Sequence, residues 1–161
     1  MQYFAKVFPH PGHDHNSCVT DALKRAEAVC AYRGARLTSL RRDVLKQVWD
    51  SHNPIGAYDI LNRLQRKGKT PAPITIYRTL DFLLKQGLVH RLATLNAYIG
   101  CGSAETPHDA QFLICNSCGV VAELNEPSIG QAIGHGASRA DFHVNTSVVE
   151  VRGLCPGCYD N

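Results

Sequence analysis

Residues 73–100 read PITIYRTLDFLLKQGLVHRLATLNAYIG, a helix signal that passes directly into two short β-prone runs. Pro73 presets the first helical turn, Ile76, Leu80, Leu83 and Leu84 recur at helical spacing, and Gly87 supplies a left-handed stop. The runs LVHRL and NAYIG, on either side of a three-residue connection, then read as a hairpin.

Upstream, AYDILNRLQRKG (57–68) repeats the helical design, with Ile60, Leu61 and Leu64 inward and Gly68 closing it before the turn KTPAP. Thr38 caps SLRRDVLKQVWD, whose Leu40, Val44, Leu45, Val48 and Trp49 form an apolar stripe, and SHNPIG breaks the pattern. Ala22, Ala26, Val29 and Cys30 predict a further helix that starts at Thr20 or Asp21 and stops at Gly34. Residues 1–19, rich in His, Pro and Gly, lack periodicity and are expected to form a flexible arm. Three or four helices followed by a hairpin make a winged helix, expected over 20–92.

Downstream of Gly100 the texture changes. QFLIC and GVVAEL predict strands, PSIGQAIGHGASRA a helix, and NTSVVEVRGLC a last strand. The expected whole is α/β of the α+β kind, with a second α/β domain over 93–161. No apolar stretch has the form of a signal peptide or a membrane span, so the chain reads as cytoplasmic, with no membrane partner.

The second region carries two cysteine pairs, CNSC at 115–118 and CPGC at 155–158, with 36 residues between them. Seven cysteines are many for a chain kept in a reducing compartment, and an odd number cannot all pair as disulfides. A C-x-x-C turn presents two thiolates to one metal ion, and two such turns close a tetrahedral shell, so Cys115, Cys118, Cys155 and Cys158 are expected to hold structural zinc. The long interval is tolerable because loop-closure entropy grows only logarithmically with length. A zinc deaminase would need H-x-E ahead of P-C-x-x-C; Cys155 follows Leu154, H-x-E is absent, and a closed four-thiolate shell leaves no position for water, so no enzyme is expected.

Charge divides along the chain. Of 17 Lys and Arg residues, 15 precede position 93, against 7 of the 14 Asp and Glu, so the first part carries +8 and the remainder −5. A basic half built as helices and a hairpin points to double-stranded DNA. In a recognition helix that opens at Pro73, Thr75, Tyr77 and Arg78 stand near the N-terminal end that reaches base edges, with Arg36, Arg41, Arg42, Lys67 and Lys69 around it as phosphate contacts. The alternative is that these are solvated faces of ordinary helices. A ribbon module for single-stranded RNA is a further alternative, which lacks the interleaved exposed aromatics that stacking requires.

AYDILNRL, ITIYRTLDFLLKQGLVHRL, NAYIGC, HDAQFLICNSCGVVAEL and GLCPGC together resemble the ferric uptake regulator superfamily, and within it the zinc uptake regulators of proteobacteria. The resemblance spans about residues 20–159. It implies a homodimer with a winged-helix domain and a C-terminal dimerisation domain, which binds palindromic operator DNA and represses zinc-uptake genes when zinc-loaded. It also implies a regulatory zinc site, which falls on His90, Cys101, His108 and Glu123 in this sequence. One sulfur, two nitrogens and one oxygen bias that set toward zinc over iron or manganese. Iron sensors of the superfamily place a histidine in the last strand where this chain has Thr146, although His143 stands three residues earlier. An iron, manganese or peroxide sensor is therefore the alternative within the superfamily, and an unrelated zinc enzyme the alternative outside it. His135 is unassigned, and His10, His13, His15 and Cys18 offer metal-binding chemistry in the arm.

Overall fold

The computed structural model describes residues 7–8, 12, 14–106 and 108–159. The chain divides into two compact units, Pro9–Thr106 and a second centred on Pro107–Asn161. The expected boundary after Leu92 falls inside the first unit, because the second half of the hairpin pairs with the first half and stays with it.

The first unit is built from α1 (His15–Tyr32), α2 (Ser39–Trp49), α3 (Ala57–Arg66), α4 (Pro73–Lys85), β1 (Val89–Leu92) and β2 (Ala97–Gly100). The helix α1 starts within the stretch expected as an arm. Asp14 caps it by accepting from the Asn16 N–H at 3.1 Å, which satisfies a donor that the helix start would otherwise leave unbonded. Thr38 caps α2 through its side-chain oxygen, and Pro73 opens α4. Gly34, Gly68 and Gly87 all adopt positive φ at the ends of α1, α3 and α4.

The strands β1 and β2 pair antiparallel, with His90 opposite Ile99 and Arg91 opposite Tyr98. Their connection is a single 3-10 turn, Ala93–Leu95, closed by Asn96 at φ 46°. Ile55, between α2 and α3, bridges to Tyr98 and ties the hairpin to the helices. Val44, Leu45, Ile60, Leu64, Ile76, Leu80, Leu83 and Val89 fill the core beneath. The arrangement is a winged helix.

In the second unit, β3 (Ala110–Cys115) is the central strand of a three-stranded sheet. It runs antiparallel to β4 (Val121–Glu123) and parallel to β5 (Val148–Gly153). A parallel neighbour requires a crossover, which α5 (Pro127–Arg139) provides, and α6 (Pro156–Tyr159) ends the described chain. Ala110, Phe112, Ile114, Val121 and Ala122 are buried. In contrast, α5 buries no residue, and Val148, Val151 and Leu154 are about half exposed, at 55%, 48% and 53%. Among the described residues no helix is long and apolar enough to cross a membrane.

Candidate metal centres and DNA-binding face

The four-cysteine cluster follows from strand direction. Because β3 and β5 are parallel, their C-terminal ends lie side by side, with Cys115 opposite Gly153. The knuckle that follows each strand therefore reaches the other. The ligand atoms of Cys115, Cys118, Cys155 and Cys158 all lie within 4.8 Å of one another, and Cys118 Sγ is 3.7 Å from Cys155 Sγ. A tetrahedron with Zn–S bonds near 2.3 Å has S···S edges of about 3.8 Å, so the thiols are spaced for zinc.

Backbone geometry sets their acidity. The Cys118 and Cys155 N–H groups hold the Cys115 thiol down to about 6, whereas burial and the neighbouring thiols push Cys155 up to about 12. The Cys155 N–H lies 3.4 Å from Cys115 Sγ. One thiolate is favoured at neutral pH; four together require a cation to offset their repulsion. Cys115 and Cys155 are buried, Cys158 is half-buried and Cys118 is exposed.

The other four expected ligands form two pairs, each within its own unit. In the first unit, His90 lies half-buried on β1, and Cys101, 2% exposed, directly follows β2. The Cys101 N–H donates to the Leu88 carbonyl at 3.1 Å, and its ligand atom is within 4.8 Å of that of His90. In the second unit, His108 precedes β3 and Glu123 ends β4, with Nε2 of the histidine 2.5 Å from Oε1 of the glutamate. The antiparallel register that places Phe112 opposite Glu123 brings that carboxylate to the start of β3. Each pair joins donors of the kind zinc accepts.

On α4, Tyr77 and Arg78 are exposed, while Thr75 is half-buried with its carbonyl accepting from Thr79 Oγ1 at 2.8 Å. Arg36 and Lys67 are exposed. Three of the expected phosphate contacts have partners within the chain. Arg42 pairs with Glu27 and Lys69 with Asp43. Arg41 lies 3.4 Å over the Phe82 ring and donates to the Arg36 carbonyl at 2.5 Å. The two ion pairs are partly exposed and cost little to exchange for a phosphate; Arg41 is a packing element first. Sequence reasoning missed Tyr58 and Ile74, 63% and 56% exposed. The Tyr58 ring meets Tyr77 edge-on, with centroids 6.3 Å apart. The signal was present: Tyr58 falls off the Ile60–Leu61–Leu64 stripe, so its ring must face outward.

His15, Cys18 and His52 form a third cluster, with ligand atoms within 4.8 Å of one another. His10 and His13 lie outside the described residues. His135 and His143 are exposed and join none of the metal-donor clusters among the described residues.

Known proteins resemble this chain over most of its length. The zinc uptake regulation protein of Escherichia coli K12 is 36% identical over 141 residues, which cover 87% of this chain and 82% of that protein. The peroxide-responsive repressor of Staphylococcus saprophyticus is 27% identical over 130 residues, covering 79% of this chain and 84% of that protein. A solved zinc uptake regulator in complex with zinc and DNA superposes with a TM-score of 0.83 at 35% identity, covering 88% of this chain and 95% of that one. The holo form of XcZur gives 0.81 at 33% identity over 88% of this chain and 99% of that one. The Ferric uptake regulator family matches residues 32–152, and the chain belongs to that family.

Proposed function

We propose that this protein is a cytoplasmic, zinc-responsive transcriptional repressor that binds palindromic operator DNA as a homodimer when zinc-loaded and represses zinc-uptake genes. The observation that carries this reading is the division of metal donors into two chemically distinct kinds. One is a closed shell of four cysteines; the other is two mixed pairs, His90 with Cys101 and His108 with Glu123. Similarity to a regulator solved with zinc and DNA supports it.

The four-cysteine shell is the structural site. Its donors sit at and just beyond the C-terminal ends of the two long strands of one sheet, and binding energy there is folding energy. We assign the regulatory zinc to His90, Cys101, His108 and Glu123. Zinc, when bound, supplies one cation on which donors from both units converge. His90 stands five residues beyond α4, on a strand packed against that helix, so its position is coupled to the recognition helix through rigid backbone. A shift from mostly inactive to mostly active requires about 5.5 kcal/mol of differential affinity between the two arrangements.

Thr75, Tyr77 and Arg78 read bases; Arg36 and Lys67, with Arg42 and Lys69 once released from Glu27 and Asp43, contact phosphate. The half-exposed Val148, Val151 and Leu154 and the uncovered α5 provide the self-complementary face of a dimer. Two recognition helices then enter major grooves about one helical turn, roughly 34 Å, apart.

The test is binding to a palindromic promoter duplex at fixed salt while free zinc is buffered over several decades. Affinity should rise with zinc well after the four-cysteine site has filled. Equal affinity at every zinc level rejects the regulatory site, and activation by iron or manganese but not zinc rejects the metal assignment.

A further inference from the structure

The third donor cluster lies within the first unit and belongs to neither site above. His15 and Cys18 are three residues apart on the first turn of α1, so both side chains project from one helix face. His52 comes from the connection between α2 and α3. That connection is held by Ser51, whose Oγ accepts from the Asn53 N–H and donates to the Asn53 carbonyl, both at 3.2 Å. The turn presents the His52 ring edge-on to that of His15, with centroids 4.9 Å apart and planes at 68°. All three residues are half-buried, and their ligand atoms lie within 4.8 Å of one another.

We propose that His15, Cys18 and His52 form a third zinc site, inside the DNA-binding unit. Two imidazole nitrogens and one thiolate are the donors zinc accepts, and in a tetrahedron they stand about 3.3–3.6 Å apart, within reach of small rotamer adjustments from the present spacing. With three protein donors the fourth position falls to water or an added ligand, so the site binds more weakly than four cysteines and fills later. The turn and the capped helix position the donors before any metal arrives: Asp14 fixes where α1 begins, and the Ser51 bonds fix the turn. Metal here staples the first turn of α1 to the loop that separates α2 from α3. It therefore orders the N-terminal end of the winged helix as zinc rises.

Cobalt(II) tests this, because a tetrahedral thiolate–cobalt bond gives charge-transfer and intense visible bands. Full-length Cys101→Ser protein, with zinc retained in the four-cysteine site, removes the thiolate of the proposed regulatory set. Cys30 does not interfere, being 1% exposed in the core. Added cobalt should bind one equivalent per chain with a thiolate band. That band should vanish in Cys101→Ser/Cys18→Ser and shift or weaken at least tenfold in affinity in Cys101→Ser/His52→Asn, with circular dichroism unchanged. A missing band in Cys101→Ser, or one that survives loss of Cys18, overturns the proposal. A second readout uses the unmodified regulatory site: zinc-saturated wild-type chain should carry one more zinc than Cys18→Ser by elemental analysis, and equal counts reject the site. Neither readout depends on DNA, so the third site and the repressor reading fail independently.

Discussion

The Trp49 indole occupies the space that a side chain at position 100 would need: a Cβ on Gly100 would stand 2.2 Å from Trp49 Cε2. The last residue of α2 and the last residue of β2 are thus packed backbone against ring, one residue before Cys101. Gly100→Ala must push the helix end and the strand apart. It should destabilise the first unit by about 1–3 kcal/mol in denaturant unfolding, the usual cost of overpacking. Trp49, the single tryptophan, reports the displacement by its emission.

The two kinds of metal donor should separate on mutation. Cys115→Ser removes a buried ligand at the end of the central strand and should unfold the second unit, read as loss of cooperative melting and of bound zinc. Cys101→Ser should leave a folded dimer whose DNA affinity no longer responds to zinc. Unfolding by both substitutions would refute the division.

Arg78 and Arg41 should fail in opposite ways. Arg78 is exposed, so Arg78→Ala should cost about 1–3 kcal/mol of operator affinity, relax base preference and leave stability unchanged. Arg41 stacks on Phe82, so Arg41→Ala should lower stability by about 0.5–2 kcal/mol. Lys67→Ala should weaken binding to all sequences alike and reduce the salt slope by about one. Gel-shift titrations at several salt concentrations, paired with melting curves, distinguish the three.

Alkaline pH should destabilise the first unit. Burial raises the Cys30 thiol above its ordinary 9.0, against Arg41 and Arg33, and burial raises the Tyr98 phenol above its ordinary 10.0, against Arg91. In both, the unfolded chain releases its proton first. The stabilisation is complete below the unfolded value and is lost as pH climbs through the folded one. The unfolding midpoint should therefore fall above about pH 9. Cys30→Ala should remove the earlier part of the decline and Tyr98→Phe the later part.

The winged helix was legible because its punctuation is local. Thr38, Pro73 and Gly87 act within a turn of their own positions, and the apolar stripes between them have a single period. The two C-x-x-C pairs were legible for the same reason: ligand spacing is written along the chain. What depends on partners distant in sequence was not. Asp14 starts α1 earlier than the apolar pattern alone indicates, because a polar cap leaves no mark in hydrophobic periodicity. The first unit continues to Thr106 because β2 hydrogen-bonds back to β1, a pairing that charge asymmetry does not register. Nothing along the chain pairs Arg41 with the ring of Phe82, 41 residues away, over which it lies. His52 gave no signal alone; only the fold brings it to His15 and Cys18.

The parallel register of β3 and β5 gives the four cysteines a second task. If β5 slipped by one residue, Cys155 would advance about 3.3 Å along the strand axis and the faces of the strand would exchange. That displacement exceeds the length of a zinc–sulfur bond, about 2.3 Å, so the shifted chain could not close its tetrahedron. A parallel pair separated by a crossover is slow to find its alignment. Zinc held by the four cysteines would therefore close only on the correctly aligned sheet, adding to what the side-chain pattern already selects.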